Sequence, residues 1–157
     1  IIGYICYIKI NSNKHMKIQI ITTILVLMLL VSCKVSPEHI NYGYDVCHYC
    51  SMTIVDKQHA AEYVTKKGRA FKFDSIECMI NGLKEIDRTE ISLYLVNDYG
   101  VPGELIDASK ATYLVSKNIP SPMGAFLSGF GNHENAKLVQ EEQSGQLFGW
   151  EELHEQL

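Results

Sequence analysis

Six consecutive residues concentrate the soft metal ligands of this chain. Cys47-His48-Tyr49-Cys50-Ser51-Met52 carries two thiols, an imidazole and a thioether. Thiolate and thioether sulfur together favour Cu(I) over harder divalent ions, whereas Zn²⁺ takes thiolate and imidazole readily. Met52 is therefore the discriminating residue, because a C-x-x-C pair alone suits zinc or a redox disulfide equally well. Three other readings stay open at this point: a simple Cys47–Cys50 disulfide, a thioredoxin-like dithiol, and a zinc site built from Cys47, Cys50, Cys78 and a histidine. A dithiol of that kind sits between a strand and the start of a helix, and Ser51 to Val55 reads instead as extension into a strand.

Outside this cluster the ligand candidates are weaker. Met79 falls on an apolar helical stripe and reads as core packing. Cys78 lies roughly opposite that stripe, so the core does not require it, yet nothing in the spacing brings it to Cys50. His39 and His59 read as solvated, His133 as a first-turn helix residue and His154 as part of a charged stretch. Met123 is different. Flanked by Pro122 and Gly124, it belongs to no periodic apolar face, so its presence in a loop needs a reason.

The elements that must hold these groups can be read from periodicity. Ala61 to Thr65 and Ala70 to Phe73 alternate as strands around the turn residues Lys66 to Arg69. Asp74 or Ser75 then caps a helix whose apolar stripe is Ile76, Met79, Ile80 and Leu83. Ile91 to Val96 is a buried strand. After the turn-rich segment Asn97 to Gly103, the same order returns: strands at Glu104 to Ala108 and Thr112 to Ser116, a helix from His133 to Gln143 capped by Asn132, Gly145 as its left-handed cap, and a strand at Gln146 to Phe148. The expected class is α+β, two small β-β-α-β units packed together, spanning about residues 46–98 and 104–149. Between the second hairpin and its helix lies a long loop, Lys117 to Gly131, which holds Met123; loops of that length in small domains are often functional.

The N-terminal segment reads as an address. From Met16-Lys17 an apolar run extends from Ile18 to Val31, and at about 1.5 Å per residue it spans only about 21 Å, short of a ~30 Å hydrocarbon core. Leu30-Val31-Ser32-Cys33 has the form of a lipoprotein signal ending in a cysteine that becomes lipidated. Residues 16–32 are thus expected to be a signal peptide and residues 33–45 a lipid-anchored tether, with residues 46–157 the folded domain. Residues 1–15 are expected to be an over-extended start upstream of Met16. Of the 14 Lys and Arg, three (Lys9, Lys14, Lys17) and none of the 18 Asp and Glu precede Cys33, so the remaining 125 residues carry a net charge of −7. An acidic domain without a basic stripe does not suit nucleic acid. No hydrolytic triad, phosphate-binding glycine loop or carboxylate pair at a defined spacing is legible, so none of those enzyme chemistries is expected.

Taken together, the lipoprotein signal ending at Cys33, His48-Tyr49-Cys50-Ser51-Met52, Val96-Asn97-Asp98 and Pro122-Met123-Gly124-Ala125 resemble, in their order, the NosL-type copper-binding lipoproteins, accessory proteins of nitrous-oxide reductase. The resemblance implies a membrane-anchored Cu(I) carrier on the periplasmic side, serving nitrous-oxide reductase or its copper-insertion machinery. By position it implies Cys50 as the thiolate ligand, Met52 as the nearby thioether and Met123 as a thioether brought from the second unit, with His48 completing the coordination or assisting transfer. Cys47 lies outside the matched segment. It either adds a second thiolate or pairs with Cys50 when metal is absent. A contrasting expectation, a thiol–disulfide oxidoreductase or a structural lipoprotein using Cys47 and Cys50, leaves both methionines without a role.

Overall fold

The turn at Lys66 to Arg69 folds Ala61–Thr65 (β1) back onto Ala70–Phe73 (β2), pairing Ala61 with Phe73 and Val64 with Ala70. The fold is taken from a computed structural model that describes residues 19, 20 and 35–156. Cys33 and most of the segment expected to be a signal peptide lie outside the described residues. Among those described, no helix is long and apolar enough to cross a membrane.

The chain then enters the helix Ile76–Gly82 (α1), passes a 3₁₀ turn at Arg88–Glu90, and continues through Ile91–Asp98 (β3) and Val101–Asp107 (β4). These strands make a four-stranded antiparallel sheet in the order β2-β1-β3-β4. Thr112–Val115 (β5), Leu127–Phe130 (β6) and Gln146–Phe148 (β7) make a second sheet in the order β6-β5-β7, with the helix His133–Gln143 (α2) between its last two strands. A last helix, Trp150–Gln156 (α3), buries Leu153.

The two β-β-α-β units are present, but with different members from those expected. The segment read as the first strand of the second hairpin joins the first sheet, because only Tyr99 and Gly100 separate β3 from β4 and so short a link forces the two strands to pair. Its place is taken by β6, which lies inside the expected loop Lys117 to Gly131. Leu-Ser-Gly-Phe carries no strong strand signature, and the reason is close packing. A Cβ at Gly129 would stand 3.1 Å from Val96 Cγ2 on β3. The small residues let the two sheets meet, and Tyr99 N–H donates to Gly129 O across the seam at 2.8 Å.

Part of the segment expected to be a tether is held against the domain. From Glu38 onward the segment is bound: Glu38 N–H donates to buried Glu62 at 2.9 Å, Ile40 is buried, and Tyr42 OH accepts from Asn97 Nδ2 at 2.8 Å. Asn97, of the Val96-Asn97-Asp98 segment, also donates to Lys57 O at 2.7 Å, so this buried amide pins the segment that follows the cysteine loop.

Candidate metal centre

The cysteine loop is closed by its own backbone. Val46 and Thr53 form an isolated antiparallel bridge, Cys47 N–H donates to Met52 O at 2.8 Å, and Ser51 N–H returns to Cys47 O at 3.0 Å. The expected strand extension from Ser51 to Val55 is therefore a tight loop. Ser51 takes the left-handed conformation, φ 62°, that reverses the chain between Cys50 and Met52. His48 N–H donates to Lys72 O at 2.9 Å and fastens the loop to β2. Cys50 is consequently directed inward and Met52 outward, the latter 54% exposed.

On the opposite side stands α1. Ser75 is its N-cap and accepts from Cys78 N–H at 3.1 Å. With Ser75 in that role, Asp74 is released from capping and lies buried beside the thiols. One ligand atom each of Cys47, Cys50, Cys78 and Asp74 lies within 4.8 Å of all the others, and the three cysteines are free thiols. Cys47 and Cys78 are 1% and 0% exposed, while Cys50 is half-buried. Its Sγ lies 3.5 Å from Asp74 Oδ1.

The electrostatics single out one sulfur. Donation from the Cys78 thiol, aided by backbone N–H groups of Cys50, Asp74 and Tyr49, outweighs burial and draws Cys47 down to about 6. Cys78 moves the other way, pushed up because it supplies that hydrogen bond, because it is buried, and because Asp74 accepts from it. Burial also raises Cys50, with further upward pressure from Cys47. Above about pH 6 these shifts favour a Cys47 thiolate with Cys50 and Cys78 as thiols around it.

The sequence candidates separate cleanly. Cys47 and Cys50 come together, and Cys78 joins them, although helical phase gave it no role; the side of α1 opposite the apolar stripe is covered by the cysteine loop. The group that completes the set is Asp74, not a histidine. His48 stands outside it, edge-on to Phe71 at 4.6 Å between ring centroids. His59, expected to be solvated, is buried between Asp56 (2.8 Å) and Ser128 (3.2 Å). Met79 is core, as expected. Met123 is 42% exposed in a turn closed by Gly124 N–H to Ser121 O, 3.0 Å. Ser121 Oγ in turn donates to Glu77, the residue before Cys78, so the Met123 loop is moored to the cysteine helix.

A sequence model of the NosL family matches residues 40–157. The chain belongs to the NosL family. It is 30% identical over 121 residues to the copper-binding lipoprotein NosL of Stutzerimonas stutzeri, an alignment covering 72% of this chain and 64% of that protein, slightly less than two thirds of its length. The crystal structure of the copper chaperone NosL from Shewanella denitrificans has the same fold, with a TM-score of 0.67 at 21% identity over 76% of this chain and 96% of that one. The mixed helix and sheet architecture expected from periodicity is thereby matched in a solved structure.

Proposed function

We propose that this NosL chain is a lipid-anchored Cu(I) chaperone that delivers copper to an envelope cuproenzyme, with nitrous-oxide reductase as the client. The observation that carries this reading is the position of Cys50: its sulfur faces the buried thiols while the chain leaves it directly for exposed Met52. Cys50, Met52 and Met123 form the exchange site, and Cys47 supplies a second thiolate. Thioethers and thiolates satisfy Cu(I) at low coordination number, and an exposed thioether is a ligand that an approaching sulfur or imidazole can replace. A closed four-ligand site would hold the ion too firmly for transfer. The copper-binding lipoprotein relative and the Cys33 signal support attachment to the envelope, with the domain facing the periplasm.

The competing oxidoreductase reading meets a physical obstacle. A dithiol enzyme exposes its acidic thiol to a protein disulfide, whereas the acidic thiol here is Cys47, the buried one. The test is transfer. The full chain in detergent, loaded with one Cu(I), is mixed anaerobically with copper-free nitrous-oxide reductase, and copper in the enzyme is followed by its visible spectrum. Transfer that fails in Cys50→Ser agrees with the proposal; transfer no faster than from free Cu(I) contradicts it.

A further inference from the structure

Cys78 and Asp74 belong to no part of that exchange site, and their placement needs a chemical account. We infer that Cys47, Cys50 and Cys78 form an interior trigonal thiolate site that stores Cu(I), distinct from the outer exchange site and joined to it through Cys50. The inference rests on the Cu(I) carrier reading and extends it to a second mode of binding.

Geometry carries the argument. Metal–thiolate bonds of about 2.3 Å place three trigonal sulfurs about 4 Å apart. The sulfurs already lie within 4.8 Å of one another, so closing around an ion requires movements of less than about an ångström. They come from two independent elements, the loop preceding β1 and the helix α1, both fixed by hydrogen bonds: Cys47 N–H to Met52 O, His48 N–H to Lys72 O, and Cys78 N–H to the Ser75 hydroxyl. A site held from two sides is preorganised, and its ion bridges the loop to the helix.

The ligand set selects the ion. Three soft sulfurs suit Cu(I), which accepts three-coordination. Zn²⁺ would require a fourth, harder ligand such as the neighbouring Asp74 carboxylate, whereas Cu(I) is satisfied by the three sulfurs alone. On binding, three Cu–S bonds form, the protons still held by the three thiols pass to water, and copper remains Cu(I) throughout. No electron moves.

Burial then divides the labour. An ion held by Cys47 and Cys78 is shielded from an approaching client, since both side chains are almost completely enclosed. Cys50, half-buried, is shared by both sites. Release is therefore a stepwise exchange in which Cys47 and Cys78 are replaced by Met52, Met123 or a partner's ligand while Cys50 stays bound.

The experiment is copper X-ray absorption together with anaerobic chelator competition on the full chain in detergent. The native chain and the Met52→Leu/Met123→Leu double variant are both expected to hold one Cu(I) with three sulfur neighbours, the double variant losing no more than about tenfold in affinity. Cys78→Ser is expected to lose about a hundredfold or more in affinity, its copper then held only by the outer exchange site. If Cys78→Ser does not fold, the double variant decides. Loss of copper from the double variant overturns the interior site, as does native affinity in Cys78→Ser; either result leaves the carrier reading standing. Failure of the native chain to bind Cu(I) more tightly than free thiols overturns both.

Discussion

The Cys50 sulfur lies 3.5 Å from Oδ1 of Asp74, so a carboxylate at the end of β2 accepts the proton of the most accessible thiol in the cluster. An anionic acceptor favours the neutral thiol over the thiolate. Asp74→Asn removes this acceptor, and Cys50 should then react faster with iodoacetamide, by about three- to tenfold at pH 8. Alkylation followed by peptide mapping checks this, and an unchanged or slower rate contradicts the assigned hydrogen bond.

Cys47 gives a second pH signature. Its thiol is held down to about 6 chiefly by donation from Cys78, so in the reduced, metal-free chain one thiolate should appear with a midpoint near that value. A group whose folded pKa is depressed contributes stability above its unfolded pKa, and that contribution is lost as pH falls through the folded value. Stability from Cys47 thus rises from about pH 6 toward pH 9. Ultraviolet thiolate absorbance, compared between the native chain and Cys47→Ala, measures the midpoint; a difference signal centred near the ordinary thiol value would refute the arrangement.

Glu62 shows the opposite linkage. Burial lifts its carboxyl to about 7, although it accepts the Glu38 N–H and faces Lys72 across the hairpin. A raised carboxyl favours folding below its unfolded pKa of about 4.5, and this is lost as pH rises through about 7. Glu62→Gln keeps the acceptor without the charge. It should stabilise the fold by about 2–3 kcal/mol at pH 8 and have little effect near pH 4. Urea denaturation at the two pH values is the check, and equal effects at both would show that charge burial is not the cause.

Ser121→Ala cuts the mooring of the Met123 loop together with the Phe126 N–H that Ser121 Oγ accepts at 2.9 Å. Ser121 donates to Glu77, whose other carboxylate oxygen is buried without a partner, so Ser121→Ala leaves the whole carboxylate unsatisfied. A loss of about 1–3 kcal/mol is expected, together with faster proteolysis between Lys117 and Phe126. Denaturation indistinguishable from the native chain would mean that the contact holds nothing in place.

Local chemistry made much of this structure readable in advance. The β1–β2 hairpin is announced by its turn, and α2 by Asn132, whose side chain accepts from Glu134 and Asn135 N–H as a capping residue should. The errors arise where tertiary packing overrides local pattern. Strand β6 carries Gly129 where a Cβ would crowd Val96 on β3, at 3.1 Å. At the candidate metal centre, Cys47 and Cys50 announce themselves by spacing. Cys78 does not, since helical phase describes one face at a time and α1 is covered on more than one. Asp74 was hidden for a related reason: it and Ser75 were equally good caps, and only the fold shows that Ser75 takes the cap and leaves Asp74 to the thiols.

The central claim is that sulfur from this cluster binds Cu(I). It is tested most directly by anaerobic competition titration of the reduced full chain in detergent beside Cys50→Ser and Met123→Leu. The account predicts one equivalent bound tightly in the native chain, a loss of about a hundredfold or more in Cys50→Ser, and a smaller loss in Met123→Leu. Binding no stronger than that of free thiols, or full affinity in Cys50→Ser, would contradict it.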